Sequence, residues 1–78
     1  MLPQAPKLMA LQKKSFSLSG HRTSVALEAE FWAVLDREAA TAKQSLAGLV
    51  ADIDKTRGTR PLASALRLAA LAAAAHRH

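Results

Sequence analysis

The hydrophobic period of this chain changes at Glu28 with no turn to separate the two patterns. From Arg22 to Leu27 the apolar-leaning positions alternate, with Thr23, Val25 and Leu27 set against Arg22, Ser24 and Ala26. That is the period of a half-buried strand. Phe31, Leu35 and Ala39 then follow at four-residue spacing with Trp32 beside them, the stripe of an amphipathic helix. A strand of about six residues cannot satisfy its own backbone donors and acceptors in water. The chain offers no second strand of matching quality, so the reading is that the same strand from a second copy completes the pairing. Phe16, Phe31 and Trp32 are the only aromatic residues among 78. The core of one copy is therefore thin, and dimerisation is the expected remedy.

On either side of this junction the chain is less demanding. Residues 1–12 are interrupted by Pro3 and Pro6 and read as a flexible arm. In KKSFSLSG, residues 13–20, Phe16 and Leu18 alternate with serines. Their parity is opposite to that of Val25 and Leu27, and Gly20 stands where a bulge or kink can reverse it. This segment reads as extended, either prolonging the ribbon or carrying Lys13 and Lys14 along a phosphate backbone. A first helix is expected from about Ala29 to Ala42, with Glu28 and Glu30 near its positive end. Ser45 is a good N-cap for a second helix with apolar positions Leu46, Leu49, Val50 and Ile53. Arg57 and Gly58 close it with a cation and a terminating glycine. Thr59, Arg60 and Pro61 lead to an alanine-rich third helix, Leu62 to Ala75, whose broad, shallow apolar surface suits packing on the core or on a dimer mate.

Charge is unevenly spread along these segments. Residues 1–27 carry Lys7, Lys13, Lys14 and Arg22 and no acid, whereas residues 28–54 hold all six acids. The strand and its approach are basic, which suits a protein that turns one face to a polyanion. No cysteine is present, so neither a disulfide framework nor a thiolate metal site is available. His76 and His78 have no acid or cysteine nearby to complete a metal site. MLPQAPKLMALQ lacks the apolar run of a signal peptide, and no stretch approaches the length of a membrane span. The expectation is a cytoplasmic protein with no membrane association. No nucleophile–base constellation, paired carboxylate site or glycine-rich phosphate loop is visible, so no enzymatic activity and no cofactor are expected.

Strand, helix, serine-initiated turn and amphipathic helix in this order, over about residues 21–57, resemble the ribbon-helix-helix family, the MetJ and Arc type of DNA-binding protein. HRTSVALEAEFW, SLAGLVADID and the trailing LASALRL are similar to a bacterial subgroup of small domains of this kind. The resemblance implies a mainly α fold with one short strand per chain, an intertwined homodimer and an intermolecular two-stranded antiparallel ribbon that enters the DNA major groove. Residues 13–57 would form this DNA-binding domain, with residues 58–78 as an extra C-terminal helix.

The outward side chains of the strand, Arg22, Ser24 and Ala26, would read bases. The start of the second helix, at Ser45, Leu46 and Ala47, would hold a phosphate, with Lys43, Lys13 and Lys14 as further phosphate contacts. Val25, Leu27, Phe31, Trp32, Leu35, Leu46, Leu49, Val50 and Ile53 would form the dimer core. Family members usually carry a glycine near the place of Lys43, so either Lys43 is left-handed or the turn differs. The function implied is sequence-specific binding of double-stranded DNA by a homodimer, with repression of transcription. The alternative is an adapter or antitoxin-like protein that binds a protein partner through residues 58–78.

Overall fold

The computed structural model describes residues 10–76; the first nine residues of the expected arm, together with Arg77 and His78, lie outside the described part. The chain opens with strands β1 (Leu11–Leu18) and β2 (His21–Glu28), followed by helices α1 (Ala29–Thr41), α2 (Leu46–Thr56) and α3 (Leu62–Ala75). β1 begins at Leu11, so the last two residues of the segment read as an arm are strand.

Both strands of the ribbon come from one chain. β1 pairs antiparallel with β2 in a register that sets Leu18 opposite His21, Phe16 opposite Thr23 and Lys14 opposite Val25. This corrects the expectation that each chain holds one short strand: two strands are present, and they close a hairpin within the chain. The physical reason lies in the turn. Ser19 and Gly20 have φ values of 50° and 82°, the positive pair that a two-residue type I′ turn requires and that matches the twist of the flanking strands. Such a turn pairs even-numbered positions of β1 with odd-numbered positions of β2. The opposite parity of Phe16 and Val25 is therefore what places them on the same face.

That shared face is covered by the helices. Phe16, Leu18, Val25 and Leu27 are buried against Trp32 and Leu35 of α1, Val50 of α2 and Leu66 and Ala70 of α3. Phe16 and Trp32 stand with ring centroids 6.0 Å apart and planes tilted by 39°, within the range of favourable aromatic pairs. The indole Nε1–H of Trp32 donates to the carbonyl oxygen of Gln12 at 2.8 Å. A two-stranded ribbon alone is marginal in water, and this bond together with the apolar cover ties it to α1.

The helix boundaries follow local chemistry. Ser45 caps α2, its Oγ accepting from the Gly48 amide at 3.0 Å. Gly58, at φ 64°, takes the left-handed position after the C-cap Arg57, where a residue with a Cβ would be strained. Lys43 has φ 57°, so the α1–α2 turn keeps the left-handed geometry without glycine. α3 starts directly after Pro61, whose missing amide costs little there. It lays Ala65, Leu66 and Ala70 on the core and leaves Leu68 and Leu71 exposed.

Candidate nucleic-acid interface

The opposite face of the ribbon looks away from the helices. Cross-strand partners on it are Ser17 with Arg22, Ser15 with Ser24 and Lys13 with Ala26. Arg22, Ser24, Lys13, Ser15 and Ser17 are exposed and Ala26 is half-buried. The hydroxyls of Ser15 and Ser24 meet at 2.8 Å. Arg22, Ser24 and Ala26 thus stand together on the solvent side, and three β1 residues stand beside them. Sequence reasoning missed Ser15 and Ser17; of its two readings for the segment that holds Lys13, a prolonged ribbon or a basic arm along the phosphates, the structure has the ribbon. The signal that would have found the two serines is the Ser19–Gly20 turn.

Lys14 faces the other way. It is half-buried, and its Nζ lies 5.7 Å from the centroid of the Trp32 ring, close enough for a cation–π attraction. Of the two adjacent lysines, only Lys13 looks outward.

At the start of α2 the Ser45 hydroxyl satisfies Gly48, while the amides of Leu46 and Ala47, in the first turn, have no intrahelical partner by position. Lys43 is exposed next to this end. The arrangement can hold an anion through N–H groups and the helix dipole. Gln44 Nε2 donates to Asp52 Oδ2 at 3.2 Å, which fastens the turn to the body of α2.

Several cations are occupied by the fold. The Arg67 guanidinium on α3 reaches Glu28 Oε1 at 3.0 Å and lies over the Phe31 ring at 5.8 Å. The Glu28 carboxyl is held below its usual pKa of 4.5 by its own backbone amide and by Arg67. This ties the β2–α1 junction to α3. Arg57 donates to Asp54 Oδ1 at 2.7 Å and to the Arg60 carbonyl at 2.7 Å.

The residues expected at a dimer core divide into two groups. Val25, Leu27, Trp32, Leu35 and Val50 are buried within one chain. Phe31, Leu46, Leu49 and Ile53 are only partly covered. Among the described residues, no group of three or more His, Cys, Asp or Glu is placed to hold a metal ion, and no helix is long and apolar enough to cross a membrane.

A basic, solvent-facing ribbon packed on helices with a serine-capped second helix defines a class of small domain. The chain belongs to the ribbon-helix-helix domain family, whose model matches residues 11–74. The match takes in β1 and α3 as well as the strand and two helices between them. Proteins of this family are generally DNA-binding transcription regulators or antitoxins. Comparison with curated proteins and with solved structures gives no match.

Proposed function

We propose that this protein binds double-stranded DNA as a homodimer and represses transcription in the bacterial cytoplasm by occupying promoter sequence. The observation that carries the reading is the two-sidedness of β2. Val25 and Leu27 are sealed in the core, while Arg22, Ser24 and Ala26 face outward from a ribbon whose width suits the major groove of B-DNA. Arg22 has the fork to bridge guanine O6 and N7, Ser24 can donate or accept, and Ala26 offers a methyl to thymine. Lys43 and the first amides of α2 behind Ser45 are suited to a backbone phosphate. A second copy has apolar surface to cover in the half-buried Phe31, Val34, Leu46 and Leu49.

A mobility-shift titration with random and selected duplexes at two salt concentrations tests the reading. DNA binding predicts an affinity that falls steeply with salt and drops with Arg22→Ala. Weak binding, insensitive to salt and to Arg22, would overturn it. One observation favours a second reading, an adapter or antitoxin that captures a protein through α3. Leu68 and Leu71 are 46% and 56% exposed on the side of α3 away from the core. On that reading, capture of the partner depends on Leu68 and is indifferent to Arg22.

A further inference from the structure

The register of the hairpin places a second long cation on the face that carries Arg22. Resting on the DNA reading above, we infer that Lys13 of β1 is a base-reading residue, and that one chain's reading surface spans both strands of its hairpin.

Lys13 is directly opposite Ala26, and Arg22 is directly opposite Ser17. Opposed side chains on one face stand about 4.5–5.5 Å apart at Cβ. Each long cation is therefore flanked by a short neighbour that does not screen it from a groove floor. Between them lies the Ser15–Ser24 pair, whose hydroxyls satisfy each other at 2.8 Å. One of those protons is used in the bond, so the pair has one donor left to offer a base or a water. The outer face is thus a short serine platform with a cation at each end.

The separation suits two distinct reading positions. Ala26 and Arg22 are four residues apart on β2, which at a strand rise of about 3.3 Å per residue is roughly 13 Å. The base-pair repeat along B-DNA is about 3.4 Å, so Lys13 and Arg22 fall on base pairs about four steps apart. Lysine, like arginine, matches the acceptor pair of guanine in the major groove. The acid at the end of this face, Glu28, is turned to Arg67 at 3.0 Å, so its charge is offset within the fold. Lys14 makes the contrast: one residue further on, it is directed to the Trp32 ring and carries no share of this surface.

The test is selection from a random duplex pool with the full chain, followed by titration of the best site and its single-base-pair variants. Wild type, Arg22→Ala, Lys13→Ala and Lys13→Arg are compared, with folding of each checked by circular dichroism. Lys13→Ala is expected to weaken the best site roughly 5- to 150-fold, the range of one good base contact. It should also abolish discrimination at one base pair, about four steps from the position that Arg22→Ala relaxes. Lys13→Arg should retain the preference at that pair. If Lys13→Ala instead weakens every duplex equally and lowers the salt slope by about 1, Lys13 is a phosphate contact and the inference is overturned while the DNA reading stands. An unchanged Lys13→Ala overturns it in the same way. Absence of duplex binding by wild type, or indifference to Arg22→Ala, overturns the DNA reading and this inference with it.

Discussion

The two faces of the ribbon are built from the same two strands and obey different rules. Phe16, Leu18, Val25 and Leu27 on the inner face are buried, and their size and shape are dictated by α1, α2 and α3. Lys13, Ser15, Ser17, Arg22 and Ser24 on the outer face are exposed, and among the described residues their side chains meet only one another, through the Ser15–Ser24 bond. Adjacent residues can therefore have unrelated roles, as Lys13 and Lys14 do. The inner face decides whether the protein folds, and the outer face decides what it binds.

Substitution at Trp32 breaks the comparison most severely. Trp32→Ala removes a ring that is 2% exposed, its bond to Gln12 and its contact with Lys14. The expected loss is about 3–5 kcal/mol, a large share of the roughly 5–15 kcal/mol that holds a domain together, measured by urea denaturation. Arg22→Ala is the opposite case. Stability should stay within about 0.5 kcal/mol, while affinity for a selected duplex falls by about 1–3 kcal/mol in a competition titration. An outer-face change that unfolds the protein, or an inner-face change that alters only base preference, would erase the distinction between the faces.

Ser45→Ala sharpens it at a place where fold and site coincide. Loss of the bond to Gly48 should lower stability by about 1 kcal/mol, read from the denaturation midpoint. The amides of Leu46 and Ala47 remain, so DNA affinity should change less than with Arg22→Ala.

The smallest effect is electrostatic and lies at the end of the outer face, where β2 meets α1. Glu28 has a lowered pKa in the folded protein, so its contribution is fully present above about pH 4.5, the usual value, and is lost as pH falls through the folded value. Acid titration of stability should show this increment for wild type. It should be missing in Glu28→Gln, in which Arg67 has no carboxylate to meet.

Much of this was legible in the sequence, for reasons that are local. The Leu46–Leu49–Val50–Ile53 spacing, the Ser45 cap, Gly58 after Arg57 and the Pro61 start each involve residues within a turn or two of one another. The α3 range was read to the residue, and the alternation of β2 gave its two faces. β1 is legible only as an extended segment: the opposite parity of Leu18 and Val25 points to a bulge or kink at Gly20, whereas a two-residue turn requires that parity and fixes the partner. Arg67 with Glu28, Lys14 with Trp32 and Trp32 with Gln12 were invisible. Their partners are brought together by packing between elements, and no spacing along the chain encodes them. The outer surface was half seen for the same cause: Arg22, Ser24 and Ala26 come from β2's own period, and Lys13, Ser15 and Ser17 only from its pairing with β1.

The origin of the two strands is the point on which both faces depend. Nuclear magnetic resonance on an equal mixture of isotope-labelled and unlabelled protein separates contacts within a chain from contacts between copies. Proximities between Lys14 and Val25 and between Ser15 and Ser24 should appear in the intrachain spectrum and be missing from the interchain-filtered one. Their appearance only between copies would contradict a hairpin closed within one chain.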